Sequence, residues 1–485
     1  MLNILLSRTR RVLSKAKTRG FRESEKTRLE DRVREADSVG LLAVDSSRLL
    51  ARYTVGVVEY RVYRGDDGLP RMKVIEPPPL PEDRIAEIVS GADEPSNLIE
   101  DYYMRKALSG YDKLYPLVID NNVEEIAVEG AGKSVLVVSK LFPAIWIEVD
   151  MVLSESELDS LVLKLGRKIG RSVSLTVPYA EGLTPEGYRV AITFKREVSR
   201  AGSSIVLRKY PEKPVTMADL IASRTLSPLM ASYLWMLLEA QSFIIIAGGM
   251  GAGKTTLLQA LLTLIPPFSR VVTIEDTPEL NLSWHYWDAL VTRPGTFAEN
   301  LPDIDLEDLL KFALRRRADY LVVGEVRGRE ARLLAQAAAL GHGCVTTFHA
   351  DSAESAIARL QMEPISLPSL FLKSISSIVV LRKVVGLGWR ARRRVWEIAE
   401  IQGDEVVSIF SWDPTEDKFK PTSEREVAEA SVSLQNASRR LDIVQGSLET
   451  ELASRAEYLE RLVGLSPDEF IRAVKRFYVM RYGVA

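Results

Sequence analysis

The segment Gly248-Gly-Met-Gly-Ala-Gly-Lys-Thr255 restricts this chain more than any other. It matches G-x-x-x-x-G-K-[ST], it follows the apolar run Phe243-Ile-Ile-Ile-Ala247, and it opens onto the helix formers Leu257-Leu-Gln-Ala-Leu-Leu262. Glycines let successive backbone N–H groups close around phosphate oxygens without Cβ clashes, and the N-terminus of the following helix adds positive potential. Lys254 is then placed to reach the β- and γ-phosphates, and the Thr255 hydroxyl to ligate Mg²⁺. Gly248, Gly249, Met250, Gly251, Ala252, Gly253, Lys254, Thr255 and Thr256 are the expected nucleotide-binding set, with ATP and Mg²⁺ as ligands.

The surrounding pattern fits such a loop. From about residue 216 helical stretches alternate with the short apolar strands Phe243–Ala247, Val271–Ile274, Tyr320–Val323 and Val345–Phe348. That alternation reads as a parallel sheet with crossover helices. The apolar stretch Leu226 to Gly253 is broken by Glu239, Gln241 and Ser242, so it predicts a buried helix and a buried strand rather than a membrane span. The expected class is α/β: a RecA-like phosphate-loop core with a parallel sheet, preceded by an α+β N-terminal domain and followed by a helical C-terminal extension.

With 485 residues the chain has room for several domains. The expected divisions are a basic extension over 1–40, a strand-rich and helical subdomain over 41–113, an α+β domain over 114–207, a linker over 208–215 around Pro211 and Pro214, the core over 216–420, and the helical extension over 421–485. Tyr53–Tyr63, Glu124–Val128, Ser134–Val138, Val173–Val177, Tyr188–Phe194 and Ser204–Arg208 read as strands, and Glu155–Ile169 as an amphipathic helix. Pro77-Pro-Pro-Leu-Pro81 is a linker or rigid turn. Ser466-Pro-Asp-Glu469 has the form of a helix cap.

Carboxylates mark the ends of two predicted strands. Asp319-Tyr-Leu-Val-Val-Gly-Glu-Val-Arg327 runs through an apolar strand to Glu325, with Gly324 where an Asp commonly follows such a run. A carboxylate there can hold Mg²⁺ or polarise the attacking water. Val271-Val-Thr-Ile-Glu-Asp276 ends in Glu275, a second candidate for general base or water-orienting group; strand C-termini on one edge of a parallel sheet are where such folds bind ligand. Of the histidines, His342 and His349 bracket one strand, too far apart for a shared metal, and His349 at its C-terminal end is placed to contact nucleotide. Arg208, Arg293, Arg315, Arg316 and Arg327 are the cations near these boxes, and an arginine from a neighbouring domain or subunit can stabilise transferring phosphate.

Four boxes thus stand in order: the phosphate loop, Thr273-Ile-Glu-Asp-Thr-Pro-Glu-Leu280, Val323-Gly-Glu-Val-Arg-Gly-Arg-Glu330 and Gly341-His-Gly-Cys-Val-Thr-Thr-Phe-His349. This set resembles the type II/type IV secretion ATPase superfamily, most closely over residues 205–400; Val74-Ile-Glu-Pro-Pro78 and the long helical C-terminus are similar to its archaeal pilus and archaellum branch. The resemblance implies nucleotide and Mg²⁺ binding by Gly253, Lys254 and Thr255, Glu325 being a further metal ligand. It implies Glu275 and Glu325 as catalytic carboxylates with Lys254, and His349 as the His-box residue nearest nucleotide. Arg208 and Arg189, with Arg293, are the candidates for contact in trans. It further implies a homo-hexamer that couples ATP hydrolysis to domain rotation, working on a polytopic membrane platform protein and, through it, on pilin- or archaellin-like subunits, from a cytoplasmic position at the inner face of the membrane.

Composition narrows the alternatives. Sixty-four Lys and Arg against 66 Asp and Glu leave a net charge of −2, which gives no global case for nucleic-acid binding. A nucleic-acid-translocating or conjugation-type phosphate-loop ATPase is the alternative reading, and a small-molecule kinase a third. The single cysteine, Cys344, excludes the four-Cys zinc module of many bacterial family members. The first 28 residues carry nine basic and two acidic side chains, which read either as a solvated, partly ordered tail or as an amphipathic segment touching anionic lipid or a membrane partner.

Overall fold

The computed structural model describes residues 48–209, 214–282, 286–293, 302–385, 391–444 and 447–483. The basic N-terminal segment, the middle of the second linker and His285 lie outside these residues. Two compact units divide the chain, Met1–Pro79 and Leu80–Ala485.

In the first unit, β1 (Leu49–Val55), β2 (Val58–Arg64) and β3 (Pro70–Ile75) form an antiparallel meander. The stretch expected as strand from Tyr53 to Tyr63 turns back at Gly56, whose φ of +59° suits glycine. Val58, Tyr60 and Val62 alternate along β2 and are fully buried.

The second unit begins with two helices, Glu82–Val89 and Leu98–Ser109. An antiparallel sheet follows from β4 (Val123–Val128), β5 (Ser134–Ser139), β6 (Phe142–Val152), β7 (Tyr179–Leu183), β8 (Arg189–Thr193) and β9 (Ser204–Arg208), in the order β6-β5-β4-β9-β8-β7. The helix Glu155–Lys168 starts at a Ser154/Glu157 capping box and buries Leu158, Leu161, Val162 and Leu165. Val173–Val177, expected as a strand, is irregular. The Ser174 hydroxyl meets that of Thr176 at 2.9 Å and accepts from the Val177 amide at 3.2 Å, a local alternative to ladder bonds.

The core is a second sheet. β10 (Phe243–Gly248), β11 (Val271–Glu275), β12 (Trp287–Val291), β13 (Tyr320–Val323), β14 (Gly343–Phe348) and the start of β15 (Ile375–Val385) are parallel, in the order β12-β11-β13-β14-β10-β15. β16 (Ala391–Gln402), β17 (Glu405–Asp413) and β18 (Lys418–Lys420) extend it antiparallel. β10 is buried on both faces: Ile244 and Ile246 join one apolar cluster, Phe243, Ile245 and Ala247 the other. The first cluster includes the helices Pro228–Glu239 and Lys254–Leu262 and the C-terminal helices; the second lies under Leu306–Ala313, Glu330–Ala339 and Ala353–Gln361. The α/β class expected from sequence is therefore the observed one, with an antiparallel extension in addition.

Among the described residues four helices follow β18: Glu424–Ala430, Val432–Arg440, Leu448–Arg461 and Pro467–Tyr482. The last begins at the Ser466/Glu469 capping box with Pro467 in its first turn. Leu226–Gly253 resolves into a helix and a strand, and no helix among the described residues is long and apolar enough to cross a membrane.

Candidate active site

The sheet sends β10, β11, β13 and β14 in one direction, so their C-terminal ends gather the four sequence boxes at one edge. β10 ends at Gly248, where a β-carbon would lie 2.7 Å from the Leu381 carbonyl oxygen of β15. Gly253, at φ +99°, caps the helix Lys254–Leu262 in the left-handed region. Between them the loop frames a cleft of about 360 Å³ lined by Met250 to Thr256. Gly248 and Gly249 lie behind it, and their carbonyls accept from Lys254 Nζ at 3.0 and 3.1 Å. Burial holds the Lys254 ammonium below the usual lysine range, opposed by the Glu325 charge.

Glu275, the last residue of β11, is 3% exposed. Its Oε1 accepts the amides of Glu279 (2.9 Å) and Leu280 (3.1 Å), so the turn after the strand orients the carboxyl. Burial raises its pKa to about 7, the two amides opposing that rise. Gly324 explains itself here: a β-carbon at that position would stand 3.1 Å from Glu275 Cγ. Thr347 of β14 donates to the Gly324 carbonyl at 2.7 Å and ties the strand ends together.

Glu325 has different neighbours. Arg327 Nη2 bonds its Oε2, and His349 Nε2 stands 2.9 Å from its Oε1. Lys254 Nζ lies 3.5 Å from the other imidazole nitrogen. Burial first, then the Lys254 charge, hold His349 below the ordinary histidine range, so the ring is neutral at pH 7. Glu325 Oε1 is buried without a hydrogen bond. With the Thr255 hydroxyl it forms a pair of hard oxygen donors beside the loop, a set that fits Mg²⁺.

The α+β part contributes Arg189 and Arg208, which face each other across the β8–β9 ladder and line the same cleft. Both, candidates from sequence for contact in trans from the N-terminal domain side, line the cleft of the chain that carries them. Arg189 also reaches Glu181 at 3.2 Å. Arg293 is not brought to the cleft: it bridges to Ile304, and its Nη2 donates to the Pro302 carbonyl at 3.3 Å. His342 sits at the far end of β14, 2.8 Å from the Ala318 carbonyl. Sequence reasoning missed Thr347, which lay within a recognised box, and Arg393, which lines the cleft from β16.

The profile of the family described as Type II/IV secretion system protein matches residues 112–445, more than half of the chain. The chain belongs to this family. Every described cleft residue named above falls within the matched span. Among the relatives of this secretion-family chain is the uncharacterised protein MJ0900 of Methanocaldococcus jannaschii, 36% identical over 324 residues, which are 65% of this chain and 58% of that protein. The match to MJ0900 thus spans less than two thirds of that relative's length. A second M. jannaschii protein, MJ1287, is 39% identical over 264 residues, covering 53% of this chain and 95% of the relative. A crystal structure of the VirB11 ATPase from the Brucella suis type IV secretion system, in complex with sulphate, aligns at 25% identity and a TM-score of 0.30, over 62% of this chain and 97% of that one.

Proposed function

We propose that this chain is an ATP-hydrolysing motor of the secretion family. The observation that carries the reading is the convergence of Lys254, Thr255, two differently poised carboxylates and the paired arginines Arg189 and Arg208 on one cleft. The loop amides from Met250 to Thr256 receive the phosphates, and Lys254 exchanges its carbonyl contacts for the β- and γ-phosphates. Thr255 and Glu325 would hold Mg²⁺, which when bound would supply neutralisation of charge on the phosphoryl oxygens. Glu275, the buried carboxyl with a pKa raised to about 7, accepts the proton of the attacking water. Arg189 and Arg208 balance the charge that develops on the transferred phosphoryl group. The same reading makes the working form a homo-hexamer, peripheral at the inner face of the membrane. There it drives assembly or secretion of pilin-like subunits through a polytopic platform protein.

Phosphate release from Mg·ATP by the purified chain tests this directly. Hydrolysis is expected in the wild type and lost on chelation of the metal. Lys254→Ala should lose binding and turnover together, while Glu325→Gln should still bind ATP but lose most turnover. Specific activity should climb with protein concentration and then level off as rings assemble. Turnover that appears only with added DNA would favour the nucleic-acid motor instead, and a chain that forms ADP only when a small acceptor takes the phosphoryl group, with no inorganic phosphate released, would be a kinase.

A further inference from the structure

β16 carries three consecutive arginines, Arg392, Arg393 and Arg394. Side chains alternate faces along a strand. Arg392 Nη1 and the buried Arg394 both end on Asp417, at 3.2 Å and at 2.9 and 3.1 Å, and Trp412 Nε1 donates to the same carboxylate at 3.0 Å. Those two arginines belong to the face that holds Asp417. Arg393 leaves from the opposite face, over the phosphate loop. Its Nε donates to the Gly251 carbonyl at 3.3 Å, and its Cδ would stand 2.9 Å from a β-carbon at Gly253. Across the ladder its register partner is Lys383, whose Nζ donates to the Pro143 carbonyl of β6 at 2.9 Å, so this face of the hairpin also fastens the α+β part. Among the described residues no carboxylate pairs with Arg393.

The geometry points to Arg393 as a nucleotide-binding residue supplied by the chain's own antiparallel strand, its guanidinium fork taking the α- and β-phosphates at the outer side of the loop. The inference rests on the ATP reading of the same cleft. Its chemistry follows from position. The amides of a phosphate loop cradle the α- and β-phosphates, whereas the loop lysine serves the β- and γ-phosphates. A cation fixed against Gly251 and Gly253 is on the α/β side. Once Nε is committed to Gly251, the two Nη groups remain for a bidentate contact with phosphate oxygens. Because ADP keeps both of those phosphates, Arg393 binds substrate and product alike. An interaction equal in ground state and transition state changes KM and leaves kcat alone. Arg393 therefore differs in role from Arg189 and Arg208.

Titration of the full chain with a fluorescent ADP analogue, paired with steady-state hydrolysis, tests this. Arg393→Ala should weaken ADP binding and raise KM for ATP by about tenfold each, the loss expected for one charge-assisted contact, with kcat within twofold of wild type. Arg393→Lys, which keeps the cation but not the fork, should recover part of the affinity. Arg392→Ala removes a neighbouring cation from the opposite face and should leave ADP affinity unchanged. Wild-type affinity in both Arg393 variants, or a fall in kcat at unchanged affinity, would overturn the assignment while leaving the ATP reading in place. A wild-type chain that binds no ADP would overturn both.

Discussion

Glu275 ends β11 and Glu325 lies two residues past the end of the adjacent parallel β13, yet their surroundings differ. Glu325 is held between Arg327 and His349, whose other ring nitrogen faces Lys254 Nζ. Glu275 is buried against the turn that follows its strand, and its pKa of about 7 suits a proton acceptor at neutral pH. The free-enzyme profile of kcat/KM should therefore rise with pH through about 7, and Glu275→Gln should remove that limb and lower turnover by about 10²–10⁴-fold with ATP affinity retained. The stability consequence has the opposite sense. The folded-state pKa lies above the ordinary value of 4.5, so between 4.5 and about 7 the folded chain holds more protons than the unfolded one. Stability is lost as pH rises through that window. Glu275→Gln should thus melt at a higher temperature than wild type at pH 8, with the difference closing toward pH 5 in a thermal scan. Both carboxylates were legible in the sequence because each stands at or just past the end of a contiguous apolar run. Arg393 was not, because the roles of three consecutive arginines are sorted by Asp417, which meets them only once β16 and β17 have paired.

At the scale of elements, the parallel strands and the phosphate loop were readable because apolar runs, glycines and caps are local signals. Ser204–Arg208 and the Ser466 cap are stated in their own residues. The antiparallel extension β15 to β18 was not seen, since long mixed strands such as Ala391–Gln402, rich in charge, lack clean alternation. The packing of the C-terminal helices on Pro228–Glu239 was also hidden, because it rests on charges far apart in sequence. Arg455 is fully buried and pairs with Glu239 at 2.5 Å and Glu451 at 2.7 Å; Arg481 reaches the same two carboxylates at 3.2 and 2.6 Å. The Arg455 guanidinium also lies 4.9 Å from the Trp235 ring centre and 5.3 Å from that of Phe477. Removing one member of such a cluster strands a buried opposite charge. Arg455→Ala should destabilise the chain by about 3–5 kcal/mol, whereas replacing the pair by Glu239→Gln with Arg455→Met should cost much less. The midpoints of urea unfolding of the two variants check this; equal losses would mean the cluster contributes packing rather than charge balance.

At the scale of the whole molecule, the question is whether one chain holds a complete site. Arg189 and Arg208 come from the antiparallel sheet that precedes the linker, and Lys254, Glu275 and Glu325 from the core that follows it, yet all five line one cleft of the same chain. Lys209, the residue after β9, helps fix this placement. Its Nζ donates to the carbonyls of Leu117 at 3.1 Å, Val118 at 2.9 Å and Asp120 at 2.5 Å, pinning the strand end just ahead of the linker. In the motor proposed above, closure of the α+β part on the core within one subunit would bring these arginines to phosphate. Mixing two inactive variants separates that arrangement from one in which a neighbour supplies the arginines. If Arg208 acted in trans, a Lys254→Ala chain would lend its intact Arg208 to an Arg208→Ala chain whose loop lysine is intact, and activity would return. If it acts within its own chain, no subunit of the mixture holds both residues. The expected outcome is hydrolysis no greater than the sum of the two variants measured alone, at concentrations where the wild-type specific activity has levelled off. Recovery of activity in the mixture would instead assign the arginine to the neighbouring subunit's site and make the closed cleft seen here one half of an exchange between subunits.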